Sequence, residues 1–307
     1  MDEYVRTGAW TADDAVIAAQ DALAILGLGQ RQLHLLRLGE NALYRILDTD
    51  LLLRVGRPGT NPEDVSTTIA AAARLRANGI PVCEPAVQVH LDGPIVLKNC
   101  VVSAWKYYPE MPGASTDFRE FGRALKNLHL NSAEIADRLP SWNPLAITRH
   151  RLQAVSKIGI PPQWINDLTR RVDEFEEELS IFEPMLSSGV IHGDAHAGNV
   201  LNSEDGIILI DLDNLSIGPR DADFAPTIVQ LRRFDLSVDQ WTAFTRGYGL
   251  RNSWILHESP LVRLRELFMI VWLLQQYGNS EDVDRELELR MSSLDDKIDN
   301  PTKWNAR

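Results

Sequence analysis

The chain has 307 residues, 44% hydrophobic and 24% charged, an ordinary globular composition long enough for two lobes. Its net charge of −12 argues against a nucleic-acid partner, because a basic face is needed to bind phosphate backbones. No stretch approaches the about 20 consecutive apolar residues of a membrane-spanning helix, so no membrane association is expected. The acidic N-terminus lacks a basic-then-apolar signal, and Cys83 and Cys100 lack metal-ligand spacing, so we expect a cytoplasmic protein with both thiols reduced.

The first third of the chain predicts one helix followed by a small sheet. Apolar positions recur at helical spacing before Gly27, and β-rich runs separated by turn residues follow. A second, alanine-rich helix is expected to begin at Pro62, with Asn61 as its cap, and to stop at Gly79. The predicted elements are a helix over 12–27, strands over 32–38, 43–47 and 51–55, a helix over 62–78, and strands over 86–90 and 95–105.

Beyond Tyr108-Pro109 the pattern becomes mostly helical. A short strand pair, 200–201 with 207–210, is expected to interrupt it. The predicted class is therefore α+β, with a small sheet-rich N-terminal lobe over 1–108 and a larger helical lobe over 109–307. The predicted helices of this second lobe cover 117–130, 161–186, 222–249 and 261–277.

The segment from Val190 to Asp213 carries the residues suited to chemistry. It contains His192-Gly193-Asp194, then Asn199 after four intervening residues, and Asp211 at the end of an apolar strand. Carboxylate and amide oxygens are the hard ligands that Mg2+ prefers, and a carboxylate can accept the proton of a hydroxyl group. Phosphoryl transfer also needs a cation against the nucleotide phosphates, which Arg54 on its strand can supply.

This segment resembles the aminoglycoside phosphotransferase and choline kinase-like families, which share the protein-kinase fold. Those families carry a His-Gly-Asp-x4-Asn loop followed by a strand that ends in a metal-binding Asp. The resemblance extends from about Leu38 to the C-terminal helices. It implies a bilobal kinase-like fold, Asp194 as catalytic base, Asn199 and Asp211 as Mg2+ ligands, and ATP or GTP as phosphate donor. The lobe 1–108 would bind the nucleotide, and the lobe 109–307 would hold the catalytic loop and the acceptor.

The same resemblance assigns roles to other short segments. Gly39 to Tyr44 looks like the nucleotide-covering loop, which makes Asn41 and Tyr44 candidate nucleotide ligands. Trp105 to Tyr108 falls where the hinge that holds adenine should be, which adds Lys106 and Tyr107. By the same analogy, His192 and Asp223 would brace the catalytic loop rather than take part in the chemistry.

The sequence departs from the family pattern around Arg54. The phosphate-binding residue is usually Lys, although Arg keeps the charge and adds a bidentate fork. The family helix often supplies a Glu partner, but the stretch from Thr67 to Ala73 contains no acid. Glu63 and Asp64, one turn earlier, could substitute, or Arg54 could lack a partner. The covering loop has one glycine, Gly39, where relatives have several.

Other classes of function compete with this interpretation. The missing helix acid and the Arg-for-Lys change suit a non-catalytic pseudokinase, which would not need the intact trio of Asp194, Asn199 and Asp211. His192 and His196 beside Asp194 could suggest a zinc hydrolase, although no further histidines share their spacing. A protein kinase proper is disfavoured, since the few residues between Asp211 and the next predicted helix leave no long activation segment.

The acceptor is expected to be a small hydroxylated molecule, such as an aminoglycoside, amino sugar, amino alcohol or related antibiotic, which would suit antibiotic resistance. A Ser or Thr of a biosynthetic peptide is the alternative. The net charge of −12 favours a cationic acceptor over an anionic one. A monomer or homodimer is expected. Four tryptophans are candidates for the acceptor pocket wall, although core packing is favoured for each: Trp142, Trp241, Trp254 and Trp272.

Overall fold

The computed structural model describes residues 11–86, 93–109, 111, 115–155, 159–251, 256–257, 259–296 and 301–305. The chain divides into two compact units, Met1–Thr116 with Asn199–Leu215, and Asp117–Gly198 with Ser216–Arg307. The first unit thus includes the segment 199–215 as well as the N-terminal part of the chain. The lobe bounds 1–108 and 109–307 stay a prediction, and they place the segment 199–215 in the second lobe.

The first unit contains an antiparallel sheet of five strands in the order β1-β2-β3-β5-β4. Helix α1 precedes it, and Thr11 starts this helix through a capping box with Asp14. Helix α2 begins with Pro62, and the side chain of Asn61 accepts the Glu63 N–H as its cap. The elements are α1 (Ala12–Ile25), β1 (Leu33–Leu38), β2 (Asn41–Ile46), β3 (Leu51–Gly56), α2 (Pro62–Ala77), β4 (Ile95–Val96) and β5 (Val101–Lys106).

Alternation along β2 and β3 decides which side chains face the core. Tyr44 on β2 and Leu53 and Val55 on β3 are buried in the apolar cluster that includes the small residues of α1. Arg54 lies between Leu53 and Val55, so its side chain leaves the opposite face of the sheet. The strand period therefore separates the packing face from the polar face.

A hairpin of β7 (Val200–Ser203) and β8 (Gly206–Leu209) completes the first unit. The chain at 81–83 runs beside β8. The Cys83 N–H donates to the Leu209 carbonyl at 2.8 Å, and the Leu209 N–H donates to the Pro81 carbonyl at 2.7 Å. These bonds fix the end of β8, which leads directly into Asp211.

Two expectations for the first unit need correction. The strand predicted over 95–105 is two strands, β4 and β5, which pair antiparallel because the chain reverses at Lys98-Asn99. The segment from Gly39 to Tyr44, expected to be a loop, is a tight turn at Gly39-Glu40 followed by β2. Of the strand predicted over 86–90, residues 87–90 lie outside the described residues, and the Ala86 N–H donates to the Ala104 carbonyl of β5.

The described part of the second unit is mostly helical and contains a strand pair, β6 (Ser188–Ile191) with β9 (Ser216–Pro219). Its main core cluster unites side chains from α4, α5, α8 and α9. In the described segments no helix has both the length and the apolar character to span a membrane. The helices are α3 (Phe118–Asn131), α4 (Pro144–Val155), α5 (Pro162–Ser180), α6 (Ala225–Arg233), α7 (Val238–Tyr248), α8 (Pro260–Leu274) and α9 (Glu281–Ser292).

The second unit also differs from expectation in its boundaries. The helix predicted over 222–249 is two helices, because Ser237 forms a capping box with Gln240 and starts α7 anew. Helix α5 ends at Ser180 instead of 186, ahead of Pro184, which disfavours helical backbone before it. The β6–β9 pair was not predicted, because its two short strands lie far apart in the chain and no local hairpin turn joins them.

Candidate active site

A buried carboxylate holds the loop that follows β6. Asp223 accepts the His192 N–H and the Gly193 N–H, both at 2.7 Å, and its Oδ2 also lies 2.8 Å from Nε2 of His129. The other ring nitrogen of His129 lies 2.8 Å from the Tyr248 hydroxyl. Gly193 has φ of +80°, a conformation that glycine adopts without strain. These contacts agree with the bracing role that the resemblance implied for Asp223.

His192 is buried and belongs to the same brace. Its Nδ1 accepts the Asp194 N–H at 3.3 Å, so the imidazole supports the backbone of the residue that follows the glycine. The described residues contain no group of three or more His, Cys, Asp or Glu side chains arranged to hold a metal ion. The zinc hydrolase alternative, which rested on His192, Asp194 and His196, therefore gains no support from this arrangement.

The Asp194 carboxylate is mostly buried and has a cation against it. Nη2 of Arg265 donates to Oδ1 of Asp194 at 2.5 Å, and Nε2 of His196 lies 3.7 Å from the same oxygen. Burial by itself would raise the pKa of Asp194, but the charge of Arg265, together with the nearby His196, outweighs it and holds the pKa below its ordinary value. Asp194 is therefore ionised at neutral pH, as a proton acceptor must be.

Sequence reasoning did not find Arg265. It lies on α8, 71 residues beyond Asp194, and no spacing rule connects the two positions. A signal was present, however, because α8 is otherwise strongly apolar and carries Arg263, Arg265 and Glu266 near its start. Charged side chains within an apolar helix are expected to have partners or functions.

Asn199 and Asp211 lie at the open end of the β7–β8 hairpin, Asn199 just before β7 and Asp211 two residues after β8. The Asn199 carbonyl accepts the Ile210 N–H at 3.0 Å, which extends the ladder that pairs Val200 with Leu209. Asp211 follows at once with φ of +61°, a left-handed conformation that is uncommon outside glycine. Asp211 thus directly follows the residue that pairs with Asn199. Amide and carboxylate oxygens are ligands of the type that Mg2+ prefers, and Mg2+ takes one or two protein ligands besides phosphates and water.

Arg54 of β3 is bound by the chain that follows Asp211. Its Nη1 donates to Oδ1 of Asp213 at 2.7 Å, and its Nη2 donates to the other oxygen of the same carboxylate. The Nη2 atom also lies 3.7 Å from Oδ1 of Asp211. In its hydrogen-bonding orientation, the Asn41 amide oxygen accepts from Nη2 at 2.6 Å. These contacts bring Asn41, Arg54, Asp211 and Asp213 together in the first unit, to which Asn199 also belongs.

Arg54 pairs with Asp213, which the sequence did not suggest. The sequence offered either Glu63 or Asp64 as its partner, or no partner at all. Burial would lower the pKa of Arg54, but the hydrogen bonds and charge of Asp213 outweigh it and keep the pKa above its ordinary value. The same charges act on Cys83, and burial raises the pKa of that thiol to about 12. The arginine is a fixed cation beside Asp211.

Three other candidate nucleotide ligands, Tyr44, Lys106 and Tyr107, have side chains or backbone groups that already contact other parts of the first unit. The Tyr44 side chain is buried on the opposite face of the sheet from Arg54, where its hydroxyl donates to the Ala12 carbonyl, so its position does not suit a nucleotide ligand. The backbone N–H groups of Lys106 and Tyr107 donate to the Glu84 and Asp50 carbonyls. Any contact of this segment with a nucleotide base would therefore use its other polar groups.

The tryptophans proposed for a pocket wall pack with apolar side chains instead. Trp241 is fully buried, with its ring edge-on to those of Phe224 and His257. Trp142 and Trp272 lie partly buried against the main core cluster of the second unit. Trp254 lies outside the described residues. Packing therefore accounts for the three tryptophans that the structure describes.

Comparison with known sequences gives one family. The model of the phosphotransferase enzyme family matches residues 35–259, which include the sheet, the Asp194 loop and Asp211. No curated protein matches the chain significantly. The family match confirms the resemblance that was read from the His-Gly-Asp-x4-Asn segment.

Solved structures with the same fold include two kinases and one member of a kinase family. The amicoumacin kinase hAmiN, solved with AMP-PNP, Ca2+ and Ami, is 16% identical, with 96% of this chain and 98% of that chain covered and a TM-score of 0.70. A microcompartment-associated aminopropanol kinase is 21% identical, with 90% and 94% covered and a TM-score of 0.68. A choline/ethanolamine kinase family protein from Mesorhizobium loti is 16% identical, with 92% and 95% covered and a TM-score of 0.64. These likenesses confirm the predicted kinase-like α+β fold.

Proposed function

The chain belongs to the phosphotransferase enzyme family, and we propose that it transfers the γ-phosphate of ATP or GTP to a hydroxyl group of a small molecule. The observation that carries the proposal is the group formed by Asn199, Asp211 and Arg54 in the first unit. Asp211 lies 3.7 Å from the Arg54 guanidinium, which stays charged at any working pH, and Asn199 pairs with the residue before Asp211; we propose both as oxygen ligands for a divalent cation. This combination suits a bound nucleotide triphosphate.

The residues of this group would act on the phosphates alone. Asn199 and Asp211 would hold Mg2+. When bound, this ion would neutralise negative charge on the nucleotide phosphates. Arg54 would contact phosphate oxygens through guanidinium hydrogens that Asp213 does not use. Asn41 would orient Arg54 through its amide oxygen. Lys106 and Tyr107, at the end of β5, remain our proposal for the segment beside the nucleotide base.

Asp194 would serve the acceptor. Its carboxylate would accept the hydroxyl proton as the acceptor oxygen forms a bond to the γ-phosphorus, while the bond from that phosphorus to the bridging oxygen breaks and the nucleoside diphosphate leaves. The brace of Asp223 and His192 would keep the carboxylate in place at no reorganisation cost. The loop thus provides the base and also fixes the orientation of its carboxylate.

Kinases of an antibiotic and of an amino alcohol among the similar structures support a small-molecule acceptor and a nucleotide donor. A role in antibiotic resistance would follow if the acceptor is an antibiotic. The short connection from Asp211 to the helical turn at Arg220–Phe224 also favours a small acceptor, since it leaves no long segment to dock a folded protein. The choice between ATP and GTP, the cytoplasmic location and the monomeric or dimeric state stay predictions.

The test is Asp194→Asn, assayed for nucleoside diphosphate release and for mass gain across a panel of hydroxylated small molecules and Ser/Thr peptides. We expect phosphoryl transfer to fall by several orders of magnitude and affinity for the magnesium nucleotide, measured by calorimetry, to stay nearly unchanged, because the carboxylate acts on the acceptor. Asp239→Asn, at an exposed position at the start of α7, is the matched control. If Asp194→Asn keeps more than about a tenth of the wild-type rate, Asp194 is not the base.

A further inference from the structure

Arg265 contacts the proposed base from outside the loop that carries it. Asp194 lies in the loop after β6, whereas Arg265 lies on α8, whose buried side chains pack against α4, α5, α6 and α9. Nη2 of Arg265 donates to Oδ1 of Asp194 at 2.5 Å. Side chains on packed helices are positioned more precisely than those on loops. Helix α8 therefore offers a fixed point from which the carboxylate can be held.

The backbone of the Asp194 loop is held without Arg265. Asp223 accepts two backbone N–H groups just before Asp194, and the Thr227 hydroxyl donates to the Ala195 carbonyl just after it, at 3.2 Å. These bonds fix the main chain on both sides of the base. The hydrogen bond from Arg265, in contrast, goes to the side-chain carboxylate. What Arg265 adds is therefore control of this carboxylate, and the loop is positioned by other residues.

The Arg265 side chain is held in its place at a cost. Only 17% of it is exposed, and its guanidinium carbon lies 5.5 Å from the centroid of the Phe268 ring on the same helix. Its Nε is buried and makes no hydrogen bond with any residue that the structure describes, which costs free energy. A largely buried ion pair seldom adds net stability, so its effect on Asp194 explains the arrangement better than stability does.

We propose that Arg265 is a positioning residue for phosphoryl transfer, which fixes the orientation of the Asp194 carboxylate and favours its ionised form. This inference rests on the proposed function, in which Asp194 accepts the hydroxyl proton of the acceptor. Because Oδ1 is bound from α8, rotation of the carboxylate is restricted, and its lone pairs keep one direction when the acceptor arrives.

The charge of Arg265 also affects the pH range in which Asp194 can act as a base. Burial by itself would raise the pKa of this carboxyl, and the charge of Arg265 is the largest influence that lowers it. His196, whose Nε2 lies 3.7 Å from Oδ1, and His192 are the titratable groups of the loop that also act on it. Without Arg265 the pKa of Asp194 rises, so the carboxylate becomes protonated, and inactive as a base, at a higher pH than in the wild type.

Two substitutions separate the charge of Arg265 from its geometry. Steady-state kinetics across the pH range uses the full chain, Mg2+, ATP or GTP, and the member of the acceptor panel that the wild type phosphorylates fastest. Arg265→Met should lower kcat roughly tenfold to hundredfold at neutral pH, leave the KM for the nucleotide unchanged and move the acid limb of kcat to higher pH. Arg265→Lys keeps the charge and loses the planar fork, so the acid limb should stay low while only part of kcat is recovered.

A second measurement needs no turnover. In a chain with isotope-labelled aspartate carboxyl carbons, NMR titration follows the carboxyl groups, and Asp194→Asn identifies the Asp194 signal. This signal should titrate at a higher pH in Arg265→Met than in the wild type. Arg263→Met is the matched control, because Arg263 lies two residues earlier on α8, is half-exposed and pairs with Glu178. It should change neither kcat nor the Asp194 titration.

The outcomes separate this inference from the proposed function. A lower kcat in Arg265→Met with an unmoved acid limb and an unmoved Asp194 signal overturns the inference and leaves the phosphotransferase standing. Full wild-type kcat in Arg265→Lys overturns the orienting role of the guanidinium. A raised Asp194 titration in Arg265→Met, in a protein that phosphorylates no member of the panel, supports the link between the two residues and overturns the proposed function. Unchanged magnesium-nucleotide affinity of both variants shows that they are folded.

Discussion

At the scale of the residue, Asp213 determines how the guanidinium of Arg54 is oriented. The kinase-like families often place a Glu on the helix that follows this strand, whereas here the carboxylate comes from just beyond Asp211, 159 residues away from Arg54. The bidentate pair with Asp213 orients the guanidinium of Arg54. The guanidinium of an unpaired arginine on a strand would have no fixed orientation. Asp213 thus pairs with Arg54 in place of the Glu that the family helix often supplies.

Asp213→Asn is expected to raise the KM for the nucleotide about tenfold, with a smaller effect on kcat, because Arg54 loses the charge-assisted pair that orients it. Steady-state kinetics with the nucleotide varied at saturating acceptor measures the effect. Asp64→Asn is the control, since Asp64 is the exposed alternative partner that the sequence suggested. A larger KM effect from Asp64→Asn than from Asp213→Asn would reverse the assignment.

At the scale of the element, α3 and α7 pack with their backbones close together. Each helix offers a glycine to the other. A Cβ atom on Gly122 would overlap the Phe244 carbonyl, and one on Gly247 would overlap the Arg119 carbonyl, so in both cases the obstacle is backbone. His129 and Tyr248 on the same two helices carry the brace of the Asp194 loop. The spacing of these helices therefore sets the position of the loop.

Gly122→Ala is expected to destabilise the protein by about 1–3 kcal/mol, because backbone cannot move aside as a flexible side chain can. The free energy of unfolding from urea titration measures this. Gly29→Ala is the control, since a Cβ there meets only the Ala24 Cα at 3.8 Å, an ordinary contact. Equal stability of the two variants would contradict the close approach of α3 and α7.

At the scale of the whole molecule, charges decide stability mainly where they are buried. Arg233 is fully buried and binds Glu266, Asp296 and the carbonyls of Ser293 and Thr302. Trp304 lies over the same guanidinium at 4.8 Å. This network joins α6, α8 and the segment 301–305. The exposed ion pairs on α5 are individually weak by comparison.

Arg233→Met is expected to destabilise the protein by about 3–5 kcal/mol, because Glu266 would remain as a buried charge without its main partner. Chemical denaturation at pH 7 measures the loss. Arg170→Met is the control, since the Arg170 pairs with Asp167 and Glu174 are largely exposed and contribute little. A loss no larger than that of Arg170→Met would show that the network is replaceable.

Patterns short enough to be local were predicted correctly from the sequence. The helices α1, α2 and α3, the first three strands and the β7–β8 hairpin follow from periodicity and from capping residues such as Asn61. The capping box of Ser237 and Gln240 also predicts that a new helix, α7, begins within 222–249. The continuous helical pattern of this region instead favoured a single helix. Element boundaries depend on a few residues, whereas element type depends on many.

The sequence alone determined the family, the kinase-like fold and the order of Asp194, Asn199 and Asp211, because these depend on residues close together in the chain. Only the tertiary structure decided that Arg265 lies on Asp194, that Asp213 holds Arg54 and that Tyr44 faces the core. These contacts join residues 32 to 159 positions apart. Hydrophobic periodicity specifies which face of an element is buried, but it carries no information on which distant side chain will meet a polar group.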